Sequence, residues 1–153
     1  MAEVRFYALQ RRALAEALAE QLEVVLASGE KAFVQVGQAE RVDALDQALW
    51  TFQDESFLPH GVSGGVDAAR QPVLVGAGEA NGNAATVRAF VDGADPSAAF
   101  AAPAGYLRLI VMFDDRDDDS KAAARKHWAV AKATGHALSF WREGDEGGWR
   151  KVG

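Results

Sequence analysis

The run Asp114-Asp115-Arg116-Asp117-Asp118-Asp119 gathers five carboxylates directly behind an apolar stretch. Carboxylates at the end of a buried strand are where α/β enzymes commonly hold magnesium or catalytic acids. Aspartates ahead of Ser120 also have a simpler use, capping the next helix and complementing the positive end of its dipole. The capping role accounts for the run without any ligand, and a nucleotide-binding enzyme built on Asp114 to Asp119 stands as the alternative reading. A second candidate is Gly76-Ala77-Gly78-Glu79-Ala80-Asn81-Gly82. A dinucleotide fingerprint needs its third glycine at position 81, which is Asn81, and it needs a helix to follow, where the pattern here continues as a strand. A glycine-rich connection fits better. No Walker-type run ends in Gly-Lys-Ser or Gly-Lys-Thr.

His60, His127 and His136 show neither an i, i+4 ligand pair nor an HExxH arrangement. The serines, Ser56, Ser63, Ser97, Ser120 and Ser139 among them, stand in no Gly-x-Ser-x-Gly elbow. With no cysteine in the chain, thiolate zinc sites, disulfides and a cysteine nucleophile are excluded together. No cofactor and no metal are expected.

Two clusters suit binding rather than bond-breaking. Lys121, Arg125, Trp128 and Lys132 fall within about 60° of one another at a helix's 100° per residue, forming one basic and aromatic stripe. Ala123, Val130 and Thr134 lie opposite, near His127, and are expected to pack the helix against a sheet. Charged side chains on an outer helix face are ordinary. An indole among them is costly decoration, and suits a shallow pocket that takes an apolar or aromatic group beside an anion. The second cluster runs from Leu49-Trp50 through Phe57-Leu58-Pro59-His60. Those apolar side chains either fold back on the core or form a partner surface, which aromatic residues tend to dominate.

The elements that must position these residues follow from periodicity. Val4 to Leu9 reads as a strand and Leu14, Leu18, Leu22, Val25 and Leu26 as a helix ended by Ser28-Gly29. Ala32 to Val36 is a second strand and Ala39 to Trp50 a second helix; Thr51 to Gln71 loses periodicity and reads as a long loop of the kind that is often functional. Val73 to Val75 and Thr86 to Val91 are short strands that can pair antiparallel, and Asp95-Pro96-Ser97 opens a short helix. Tyr106 to Phe113 is the clearest buried strand, Ser120 to Thr134 is helical with Gly135 at its end, and Ala137 to Trp141 is a final strand. Alternation of this kind predicts an α/β layered fold, Rossmann-like without a nucleotide fingerprint, with a central, mainly parallel and possibly mixed sheet flanked by helices. One domain over residues 1–153 is expected, since 153 residues with 49% hydrophobic content suit a single core.

A formal charge of −6 disfavours tight direct binding of nucleic acid. Neither a secretion signal nor an apolar run of about 18 residues is present, so a cytoplasmic protein without a membrane span is expected.

Leu45-Asp46-Gln47-Ala48-Leu49-Trp50 followed by Glu55-Ser56-Phe57-Leu58-Pro59-His60 resembles the chi subunit family of bacterial DNA polymerase III. Supporting matches are Phe6-Tyr7 in the opening strand, Pro72-Val73, the Tyr106 to Phe113 strand, the basic and aromatic stripe, and Trp149-Arg150. The resemblance implies a non-catalytic connector that binds the psi subunit and the acidic, phenylalanine-ended tail of single-stranded DNA-binding protein. By that analogy Trp50, Phe57, Leu58, Pro59 and His60 lie at the psi surface, and Lys121, Arg125 and Trp128 take the tail. Ala129 stands where some relatives carry a lysine, and Lys132, on the same face, is expected to substitute.

Overall fold

The computed structural model describes residues 2–51, 60–65, 67–78, 80–103, 105–145 and 148–153, with Trp50 and Thr51 described in backbone only. The elements run β1 (Glu3–Leu9), α1 (Leu14–Ala27), β2 (Ala32–Val36), a 3-10 turn at Ala39–Arg41, α2 (Val42–Thr51), β3 (Gly61–Val62), a second 3-10 turn at Ala68–Arg70, β4 (Val73–Gly76), β5 (Val87–Val91), α3 (Ser97–Ala101), β6 (Arg108–Asp114), α4 (Asp118–Ala133), β7 (Ala137–Glu143) and β8 (Trp149–Lys151). The eight strands form one sheet in the order β3-β4-β2-β5-β6-β1-β7-β8. Every neighbour pair is parallel except β7 with β8. The protein is therefore α/β with an open, mainly parallel sheet.

Strands β2, β4 and β5 are buried at every position, as parallel strands covered on both faces must be. One face carries α1 and α2, which bury Leu18, Leu22, Val25, Leu45 and Leu49 against Tyr7, Val34, Val75, Val91 and Met112. The other carries α3 and α4, where Phe100, Ala131 and Trp128 pack on Val4, Phe6, Phe90, Leu109 and Val111. Each fully buried large side chain of this kind contributes roughly 1.5–3 kcal/mol relative to exposure, so the two faces together hold the sheet flat against its helices.

The two central strands depart from the antiparallel pairing that their short connection allows. β4 and β5 do not pair with each other; they lie on opposite sides of β2, both parallel to it, in the registers Phe33↔Leu74 and Phe33↔Arg88. The connection 77–86 thus crosses over β2, and it is held down by Arg88, which is 2% exposed. Its guanidinium donates to Gln35 Oε1 at 2.7 and 3.1 Å, to the Gly78 carbonyl at 2.8 Å and to the Tyr106 hydroxyl at 3.0 Å, and lies 4.3 Å from the Phe33 ring centroid. Glycine is required at one neighbouring turn: a Cβ at Gly37 would sit 2.3 Å from the Asp92 carbonyl oxygen, because the loops after β2 and β5 touch backbone to backbone.

The stretch expected to be a loop from Thr51 to Gln71 holds β3 and the Ala68–Arg70 turn among its described residues. β8, not anticipated from the pattern, supplies the antiparallel pair at the other edge.

Candidate functional site

β6 and β1 are neighbours whose chains leave in opposite directions, β1 through α1 on one face and β6 through α4 on the other. In an open α/β sheet this switch point is where ligands commonly bind. Here the protein's own side chains fill the part of it beside β7. Glu143, 4% exposed, accepts the backbone N–H groups of Gln10, Arg11 and Arg12 on Oε1 at 3.0, 2.7 and 3.0 Å, while Arg12 Nε donates to its other oxygen. Three successive N–H groups aimed at one oxygen form an anion nest, and the anion in it is Glu143. Burial pushes the Glu143 carboxyl up, but Arg12 and the three N–H groups outweigh burial and hold it down at about 2.

The acidic run is engaged in the same local structure. Asp114 accepts from Arg116 Nε at 2.8 Å, which holds its carboxyl below the usual range, and Arg116 reaches across to the Arg11 carbonyl at 3.2 Å. Asp115 accepts from Gln10 Nε2. Asp117 caps α4, accepting the Ser120 N–H at 3.0 Å, and Asp118 and Asp119 occupy the first turn. A hollow of about 430 Å³ opens between α4 and the strand ends, but its ionic groups face one another: Arg41 with Asp92 at 3.7 Å, Arg116 with Asp114 at 2.8 Å. His127, on its wall, is 3.6 Å from Asp95; burial lowers its pKa and Asp95 opposes that. No group of three or more potential metal ligands occurs among the described residues.

The second groove lies on the opposite flank of α4. It encloses about 460 Å³ and is lined by Lys121, Arg125 and Trp128 of α4, Phe113 and Asp115 at the end of β6, Phe140 and Arg142 of β7, and Val152 beside β8. Trp128 is half-buried, edge-on to Phe6 with centroids 5.2 Å apart and edge-on to Phe140 at 5.7 Å, and Phe113 meets Phe140 at 6.0 Å. Edge-to-face geometry of this kind fixes the indole rather than leaving it to swing. The result is an apolar aromatic floor with cations on its rim.

Helix α4 turns a different face to the sheet from the one its sequence suggests. Ala124 and Ala131 are the buried positions, with Trp128 beside them, whereas Val130 is 38% exposed and Thr134 is exposed. The correction has a physical reason: Trp128 offers far more apolar area than Val130 and finds two phenylalanines under it. The stripe thus forms a groove wall at Trp128, with Arg125 exposed on the rim. Lys121, Arg125 and Trp128 converge there; Lys132, one turn beyond, is exposed and does not line the groove.

Of the other cluster, Phe57, Leu58, Pro59 and the Trp50 side chain lie outside the described residues. His60 has no exposed side-chain surface, and its Nε2 sits 3.2 Å from both the carbonyl oxygen and a carboxylate oxygen of Asp46 on α2. Its ring anchors the chain on α2 and is not presented at the surface in this conformation. Sequence reasoning missed Phe113, Phe140, Arg142 and Val152. The two-residue spacing of Phe140 and Arg142 does place them on one side of β7, but nothing local says which helix covers that side.

The fold is that of an α/β protein with an open sheet, a partly self-occupied switch point and a cationic aromatic groove beside its last long helix. The family model of the DNA polymerase III chi subunit, HolC, matches residues 1–139, and the chain belongs to that family, a subunit of the replicative polymerase complex. No curated protein matches the chain. No helix among the described residues is long and apolar enough to cross a membrane.

Proposed function

We propose that this protein is a non-catalytic, one-domain connector of the DNA polymerase III complex, working in the cytoplasm. It binds the psi subunit through the segment around Trp50, Phe57, Leu58 and Pro59, and takes the acidic C-terminal tail of single-stranded DNA-binding protein in the α4 groove. The observation that carries the tail reading is the convergence of Lys121 and Arg125 with Trp128 over Phe113 and Phe140. Arginine binds a carboxylate through two parallel hydrogen bonds, lysine as a point charge, and the aromatic floor suits a phenylalanine ring. Exposed pairs contribute only about 0.2–1 kcal/mol each, so one tail binds weakly and more weakly as salt rises. Many tails on one coated strand supply the avidity.

The nucleotide-binding alternative has less to stand on, because the nest at the switch point holds Glu143 and the aspartates cap, or pair with, their own neighbours. The test is a polarisation titration with a labelled acidic peptide ending in phenylalanine. Wild type binds, and Arg125→Glu and Lys121→Glu lose binding while melting as wild type does. Equal binding by all three removes the groove from the account.

A further inference from the structure

The part of the β7–β8 hairpin that completes the groove, from Phe140 onward, lies beyond residues 1–139, the stretch shared with the family. In it Arg142 stands directly opposite Arg150, flanked by the pairs Trp141↔Lys151 and Glu143↔Trp149. Directly opposed side chains of an antiparallel pair project from the same face, with Cβ atoms about 4.5–5.5 Å apart, and like charges there destabilise the sheet. That face is the groove face: Phe140, two residues before Arg142, packs on Trp128, and Arg142 itself lines the groove. The neighbouring Trp149 points the other way, onto Tyr7 at 4.8 Å and Glu20 at 3.1 Å.

A like-charged pair needs a reason to be there, and among the described residues only one of its two members has a carboxylate partner. Arg142 Nε is 3.7 Å from Asp115 Oδ2, an oxygen that Gln10 already occupies. Among the described residues Arg150 has no carboxylate within ion-pair distance, and neither do Lys121 and Arg125 across the groove. The field is regional: residues 121–153 hold seven of the chain's 16 lysines and arginines and only three of its 22 acids, a local charge of +4 in a chain of −6. Cations of one sign concentrated over an apolar floor attract an anionic segment with an apolar end.

We infer that the Arg142–Arg150 pair is a second anion subsite, continuing the groove along the β7–β8 hairpin and reading carboxylates that precede the apolar anchor of a bound acidic peptide. The apolar end seats on Trp128 and Phe140, and the upstream acidic residues run out over the two arginines. The ligand is thereby specified as a peptide with acidic residues several positions before its aromatic end. Binding of that segment relieves the cross-strand repulsion, so the pair favours the occupied state. This rests on the groove reading above.

The test uses two labelled peptides with free carboxyl ends, Asp-Asp-Asp-Ala-Ala-Phe and Asn-Asn-Asn-Ala-Ala-Phe, titrated into the full chain and into Arg150→Gln. For the aspartate peptide, Arg150→Gln weakens binding about two- to fivefold, as expected for one exposed charge pair, and flattens the salt dependence. For the asparagine peptide the two proteins bind alike. The free variant melts no lower than wild type, since a repulsion has been removed, which a merely structural arginine would not give. Equal affinity of both proteins for the aspartate peptide overturns the subsite and leaves the groove. Failure of wild type to bind either peptide overturns both. Displacement of the aspartate peptide by oligothymidine at equal charge concentration also overturns it, since the arginines would then be reading phosphate.

Discussion

Replacing Glu143 with glutamine tests the physical account of the nest that follows β1. The carboxylate is buried, receives three backbone N–H groups and Arg12, and titrates at about 2 against an ordinary value of 4.5. A folded-state pKa below the unfolded one means that ionisation favours the fold. The contribution is fully present above the unfolded value and is lost as pH falls from there through the folded value. Two and a half pH units correspond to about 3 kcal/mol at pH 7, and the same linkage leaves about 1 kcal/mol at pH 3. Glu143→Gln keeps the shape and removes the charge. It is expected to lower stability in urea unfolding by about 3 kcal/mol at pH 7, a melting shift of roughly 6–12 °C for a chain of this size, and by only about 1 kcal/mol at pH 3. A loss that is the same at both pH values, or one below about 1 kcal/mol at pH 7, would refute the reasoning, because the stabilisation would then come from packing rather than from the ionised group in its nest. Arg142 precedes Glu143 directly, so the same anchor fixes one wall of the groove beside α4.

Two further substitutions probe the rest of the molecule. Phe57→Ala is expected to abolish co-purification with psi while the melting temperature stays within a degree or two of wild type; undiminished recovery of psi would remove Phe57 from that surface. Arg88→Met leaves Gln35, the Gly78 carbonyl and the Tyr106 hydroxyl without their donor, and should cost about 3 kcal/mol in urea unfolding. A loss under about 1 kcal/mol would show that the connection between β4 and β5 needs no clamp.

The sequence alone determined the class of fold and most of its elements, because burial writes itself into local periodicity. The mostly apolar runs at Ala32–Val36 and Val87–Val91, each interrupted by one polar residue, Gln35 and Arg88, announce buried strands, and the Asp117 to Ser120 cap with Gly135 brackets α4. The stripe of Lys121, Arg125, Trp128 and Lys132 was legible from helical spacing, although Lys132 does not line the groove. Tertiary structure decided which strands are neighbours, since the parallel placement of β4 and β5 on either side of β2 is a matter of crossover and not of spacing. It also turned Trp128 toward the sheet, because the competing apolar areas on α4 are settled only by what lies beneath, here Phe6 and Phe140. The groove itself depends on β7 lying next to β1, which places Phe140 and Arg142 beneath a helix that begins more than 20 residues earlier in the chain. Contacts of that range leave no local periodic trace, and so the wall opposite the stripe became visible only in the folded protein.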